Sequence, residues 1–361
     1  MLRKLPANAR RRLSDDHLIQ ITSDLLVQPM DVDLGLPEDA QVPVKSIPGW
    51  FTYGAASALE RMKEGHRLGV QEFVLRISDS TPGLPVSSRL DRHSSTTAQL
   101  VSGAPDGMRC TVDPFALALN PDGSWGIRDG SSGIDAAATY SLVQDVAAAV
   151  ASCGVHGIVT LGRLPKEVQY TREGIKSAGG TTRIYSFSQN SETSTAYVYL
   201  SPDHRDTGQK ILPGNLPEMT LWALMDVFQG TEVSVTKPLE NFHATLDLVH
   251  YASHVELMDE LFGSSAVRSM HPFSGDVAEL FAGLQADRDT LAKRLNNLEF
   301  YGYTVSGSTR ALAHLAAADG VALARARLEE SWMNWLAAAG RPGSKIIDRN
   351  VVSYLSGGLL F

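Results

Sequence analysis

Cysteine is nearly absent from this 361-residue chain. Only Cys110 and Cys153 occur, with no Cys-x-x-Cys pair and no His/Cys cluster at metal-ligand spacing. A disulfide framework and a structural zinc site are therefore not expected, and a reducing compartment fits. Long apolar runs are missing as well. Arg10, Arg11 and Arg12 have no apolar core behind them, so neither a signal peptide nor a membrane span is expected, and a cytoplasmic location is. Positive charge is in deficit, with 32 Lys and Arg against 40 Asp and Glu and a net charge of −8. That removes the overall electrostatic footprint of a nucleic-acid binder. The glycine-rich stretch Gly126–Gly133 lacks dinucleotide-fingerprint or Walker spacing, which argues against a nucleotide site. His156, His243 and His254 stand alone and read as structural or solvated. No metal and no cofactor are expected.

What the chain does contain is a regular alternation of strand-like and helix-like segments, with 43% hydrophobic residues to bury. Strands are predicted at Asp24–Met30, Glu72–Ile77, Met108–Asp113, Gly157–Leu161, Thr181–Phe187 and Glu232–Thr236. Helices are predicted at Ala55–Leu68, Ala136–Ala151, Lys166–Ser177 and Met219–Phe228. Residues 79–105, rich in Ser, Pro, Gly and Arg, read as a long loop. Such alternation implies parallel strands with crossover helices, and the number of units fits an α/β (β/α)8 TIM barrel. Roughly His250–Phe300 adds two helical patterns, as a lid or an oligomer surface.

Lys237 is the residue that points to chemistry. It closes the β-branched run Thr231–Thr236 and precedes Pro238, which keeps the strand from continuing as a central ladder member. In a barrel that position is the strand's C-terminal mouth, where active sites lie. A desolvated lysine there loses its proton and attacks a ketone to form a Schiff base. The same residues also accommodate a lysine that snorkels into solvent; both readings stand at this level.

The order of motifs along nearly the whole chain resembles the porphobilinogen synthase (δ-aminolevulinic acid dehydratase) family. Ser23–Met30 and Lys45–Trp50 resemble that family's first strand and Ser-Met-Pro-Gly turn. Asn215, Glu218, Asp226, Gly230 and Lys237-Pro238 fall on its pattern around the Schiff-base lysine without a gap. Tyr303–Gly307, Leu328–Ser331 and Val351–Tyr354 resemble its closing segments, the last of them as the final strand. The resemblance implies that Lys237 holds a ketone as a protonated imine. It implies that Ser306 and Tyr354 bind the substrate carboxylate, that Asp113 accepts or relays a proton, and that Arg205 is a lid arginine. Each has a plainer reading: Asp113 as a turn former or cap, Ser306 as a helix cap, Tyr354 as a core tyrosine, and Arg205 as a solvated charge.

The departures matter equally. Where the family carries a second Schiff-base lysine, this chain has Ser188 or Gln189, and Gln189 is retained only as a substrate-binding candidate. The family's metal stretch corresponds to Asp113–Gly126, with Asp122 and Ser124 in place of histidines. The resemblance thus implies a metal-independent Schiff-base enzyme, dehydratase, condensing or cyclising, acting on δ-aminolevulinate or a related keto acid in specialised metabolism. The alternative is a catalytically silent barrel that binds a ligand or a partner.

Residues 21–361 are read as one barrel domain and residues 1–20 as an arm, polar, basic and lacking a core face of its own. The family's arm wraps a neighbouring barrel, which implies a homo-oligomer, dimer or larger. Deleting residues 1–20 is expected to lower the assembly state measured by light scattering; an intact protein that is monomeric at micromolar concentration refutes this.

Overall fold

The computed structural model describes residues 20–120, 125–130, 133–191, 211, 215–270 and 275–357. Strand β1 (Leu26–Asp33) is followed by an antiparallel hairpin of β2 (Gln41–Pro43) and β3 (Phe51–Tyr53). Then come β4 (Glu72–Ser78), β5 (Arg109–Asp113), β6 (Gly157–Thr160), β7 (Arg183–Ser186), β8 (Val233–Thr236), β9 (Glu299–Tyr303) and β10 (Lys345–Ile347). Eight of these, β1 and β4 to β10, pair in parallel in sequence order, and β10 returns to β1 to close the ring. With helices in the crossovers, this is a (β/α)8 barrel.

Alternation along each strand divides the interior from the helix layer. Val27, Val74, Val159, Tyr185, Val233, Val235, Tyr301 and Ile347 form the inner cluster, while their neighbours pack outward against the helices. Below them a buried ionic cluster fills the floor. Glu72, wholly buried, accepts from the Tyr185 hydroxyl at 3.0 Å, the Tyr301 hydroxyl at 3.2 Å and Lys345 Nζ at 3.1 Å. The Tyr185 ring crosses β6 at Gly157, where any side chain would strike it.

Three readings of the sequence need correction. Residues 79–105 are not a loop: Val86–Gly103 is an 18-residue helix. Its Ser and Thr content hides a helical stripe in which His93, Thr97 and Leu100 are buried, and packing overrides weak propensity. The final strand is Lys345–Ile347, and Val351–Leu355, read as that strand, is a short helix. The insertion holds more than two helices, namely Phe242–Ser253, Met258–Gly263, Ser265–Met270, Gly275–Ala286 and Arg288–Asn296, and Phe300 belongs to β9. Among the described residues, no helix is long and apolar enough to cross a membrane.

Because Lys345 and both tyrosines converge on Glu72, its removal leaves a buried ammonium without its countercharge. Glu72→Ala is expected to cost about 3–5 kcal/mol in denaturant unfolding, whereas truncation of the exposed Leu323 should change stability by less than about 0.5 kcal/mol.

Candidate active site

The C-terminal ends of the barrel strands bring one set of side chains to a common mouth. Lys237 follows directly on β8. Its main chain is tied to the extension of β7: Lys237 N–H donates to the Gln189 carbonyl, and Ser191 N–H donates to the Lys237 carbonyl, each at 2.8 Å. Lys237 Nζ lies 4.5 Å from the centroid of Phe187 and 4.9 Å from that of Tyr303. Those rings, one just past β7 and the other at the end of β9, meet edge-on at 5.8 Å and together line one side of the amine.

Electrostatics at this point favour the neutral amine. Burial is the largest cause, and it pulls the Lys237 pKa down from the usual lysine range to about 7. The carboxylate of Asp113 opposes this, while the positive charges of Arg349, Arg163 and Arg76 add to it. Asp113, at the end of β5 and buried, is therefore within electrostatic reach of Lys237.

The other candidates separate. Ser306 is buried in the first turn of the helix Ser306–Asp319, which begins three residues after β9 and so sits on the same rim. Gln189 is engaged elsewhere. Its side-chain oxygen Oε1 accepts from Ser234 Oγ at 3.0 Å and Thr236 Oγ1 at 3.1 Å, which alternate with the inward-facing Val233 and Val235. Gln189 thus braces β7 against β8. Ser188 is likewise occupied, at 2.9 Å from Ser186 Oγ, whose hydroxyl reaches Asp226 at 2.5 Å. Burial raises the Asp226 carboxyl to about 7. Tyr354 is directed into the outer helix layer. Its hydroxyl donates to Glu329 at 2.8 Å, and its ring meets Trp332 edge-on at 5.0 Å. Arg205 lies outside the described residues, as do Asp122 and Ser124.

Arg349 was missed at the sequence level, because the last strand was placed six residues too late. It follows β10 by two positions, donates to the Thr304 carbonyl at 3.1 Å, and stacks 5.2 Å from the Trp50 ring and 5.5 Å from Tyr303. Trp50, from the Lys45–Trp50 turn, donates to Asp31 at 2.6 Å, and Asp31 also binds Arg76 at 2.6 Å. On the opposite side Arg163 stacks on Trp125 at 4.6 Å. Its neighbouring loop is held by Glu167, which accepts from Leu161 N–H at 2.8 Å and Arg163 N–H at 3.0 Å. Lys166, the nearest alternative amine in sequence, is paired with Asp276 at 3.1 Å and Glu279 at 2.7 Å; the Glu279 hydrogen bond is the chief cause of its raised pKa.

The family profile for Delta-aminolevulinic acid dehydratase matches residues 2–198. The chain belongs to this family. The match ends before Lys237, so the second half of the δ-aminolevulinic acid dehydratase barrel is compared through structure. The chain is similar to delta-aminolevulinic acid dehydratase (porphobilinogen synthase) from Toxoplasma gondii ME49, solved in complex with the reaction product porphobilinogen. The TM-score is 0.72 at 17% identity, over 99% of this chain and 92% of that one. The tryptophan synthase alpha chain of Legionella pneumophila subsp. pneumophila aligns with a TM-score of only 0.27 at 13% identity, over 80% of this chain and 96% of that one, and bears on nothing here. No curated protein matches by sequence. Asp122 and Ser124, in the stretch Asp113–Gly126 that corresponds to the family's metal segment, lie outside the described residues. Among the described residues no three His, Cys, Asp or Glu side chains converge, and no chemical step is routed through a metal.

The lowered pKa of Lys237 carries a stability signature. Below pH 7 the ammonium is charged in both folded and unfolded chains, and its burial cost is present in full. Between pH 7 and about 10.4 the folded protein has released the proton and the unfolded chain has not, so the cost fades as pH rises. Lys237→Met is therefore expected to stabilise the protein by about 1–4 kcal/mol at pH 6, with the gain shrinking towards pH 10. A gain independent of pH in urea melts would contradict an amine titrating near 7.

Proposed function

We propose that this member of the family is a metal-independent Schiff-base enzyme that takes up a keto acid, δ-aminolevulinate or a relative, at Lys237. The observation that carries the reading is the amine itself, brought to about 7 by burial and set against Phe187 and Tyr303. At neutral pH a large share of it is the free nucleophile. Its nitrogen adds to the ketone carbon and gives up two hydrogens, which leave with the carbonyl oxygen as water. Asp113 is positioned to shuttle these protons. Protonation of the resulting imine acidifies the neighbouring carbon, which opens enamine, dehydration or C–C bond chemistry.

The same geometry argues against condensation on two lysines. Ser188 and Gln189, at the family's other lysine position, form no imine and are held by Asp226, Ser234 and Thr236. Lys166 is an ion-paired cation. The reaction proposed is one imine per chain, in specialised metabolism, with little or no porphobilinogen formed.

Incubation with levulinate or δ-aminolevulinate followed by borohydride is expected to add one reduced ligand mass per chain, on the peptide containing Lys237. The yield should rise with a midpoint near pH 7 rather than near 10. Lys237→Arg should abolish the label with the fold retained. A folded protein that takes no label at any pH would shift the reading to a silent, ligand-binding barrel.

A further inference from the structure

Tyr354, the hydroxyl that sequence resemblance assigns to the substrate carboxylate, is bonded to Glu329 on the outer helix Val321–Ala339. Arg349 stands on the rim instead, and its placement is unusually constrained. The Arg349 carbonyl accepts from Gln28 Nε2 at 3.1 Å, and the turn before it is fixed by Asp348, which is buried and accepts from Trp332 Nε1 at 3.0 Å and from Asn350 N–H at 2.8 Å. One terminal nitrogen of the guanidinium is held by the Thr304 carbonyl, and the plane is clasped by Trp50 and Tyr303. Its Nε is buried without a hydrogen-bond partner. Lys237 Nζ approaches the same Tyr303 ring, at 4.9 Å against 5.5 Å for Arg349. Both cations thus lie against one ring, and the charge of Arg349 reaches the Lys237 amine.

The charge of Arg349 reaches the buried Asp31 carboxylate, whose hydrogen bonds go to Trp50 and Arg76; the other described guanidinium groups of the mouth are engaged by neighbouring side chains. Arg76 is paired with Asp31, and Arg163 lies over Trp125 beside Glu167, whose carboxyl feels its charge. Arg349 has its Nε buried without a hydrogen-bond partner, and planar, bidentate pairing with a carboxylate is what a guanidinium does best.

We propose that Arg349 reads the substrate's carboxylate at the Lys237 site, in the place expected for Tyr354, and restricts the site to short keto acids. This rests on the imine reading above. It also gives the arginine a second effect. In the empty site its positive charge helps keep Lys237 neutral and nucleophilic. A bound carboxylate cancels that charge, and the imine nitrogen then gains in basicity when a protonated imine is needed. Carboxylate docking and activation of the imine become one event.

The test compares levulinate with its uncharged methyl ester in borohydride trapping. Arg349→Met is expected to raise the half-saturating concentration of levulinate at least tenfold, the loss of about one charge-assisted contact. For methyl levulinate the change should stay under about twofold. The pH midpoint for labelling by the ester should move upward in Arg349→Met, because a cation that lowers the Lys237 pKa is gone. Arg349→Lys, which keeps the charge but not the fork, should leave the midpoint near its original value and recover only part of the levulinate affinity. Equal losses for both ketones with an unmoved midpoint would assign Arg349 a purely structural role and overturn the proposal, as would undiminished levulinate affinity. If the wild-type protein takes no label from either ketone, the imine reading fails by itself. Calorimetric binding of levulinate then still decides for or against Arg349, according to whether Arg349→Met abolishes it.

Discussion

The closure of the sheet, through the short pairing of β10 with β1, is the constraint on which the site depends. Closure forces every inward side chain into a space that water does not fill. Glu72, Tyr185 and Tyr301 form its floor, Val233 and Val235 the middle, and Phe187 and Tyr303 the upper walls. An amine placed above this stack has low-dielectric material beneath it and arginines around it. Its low pKa therefore comes from the whole barrel and not from one neighbour. The same closure brings Arg349, from the end of the chain, against Trp50, from its beginning.

The strand ends divide their labour along the ring. Just past β8 sits the Lys237 amine, at the end of β5 the carboxylate whose charge reaches it, and just past β7 and at the end of β9 the aromatic rings. Beyond β10 lies the charge that we assign to substrate carboxylate. Residues one position away face the helices and do different work. Ser186, Ser188 and Asp226 form a buried hydrogen-bonded group behind β7, and Thr236 reaches Thr245 at 2.7 Å behind β8. Such satisfied polar contacts fix the strand ends in register, which in turn fixes where Lys237 points. The insertion helix Gly275–Ala286 reaches the same rim through the pairs of Lys166 with Asp276 and Glu279, close to the loop that carries Arg163.

Much of this was legible in the residues. The alternation of β-branched runs with helical stripes yielded the barrel, and Lys237-Pro238 at the end of such a run marked the mouth. Asp113 before Pro114 was recognisable as a strand end. The failures have physical causes. The helix Val86–Gly103 is stabilised by burying His93, Thr97 and Leu100 against the barrel, and its polar composition conceals this. Val351–Tyr354 has strong strand propensity, yet Gln28, whose amide oxygen accepts from Val352 N–H at 2.9 Å, and the Asp348 turn hold it as a helix. Long-range contacts overrule local preference there, and with the strand misplaced, Tyr354 was assigned a role that Arg349 is positioned to fill. Gln189 lies three residues past β7, and its bonds to Ser234 and Thr236 connect residues far apart in sequence.

The dependence of the Lys237 pKa on a finished barrel has a consequence for the nascent chain. Before the sheet closes, the lysine is hydrated and retains its proton near the ordinary value of about 10.4, and so does not react with carbonyl metabolites. Closure requires β10, which follows Lys237 in the chain and pairs with β1. The electrophile-seeking amine therefore comes into being only once the pocket that selects its partner is complete.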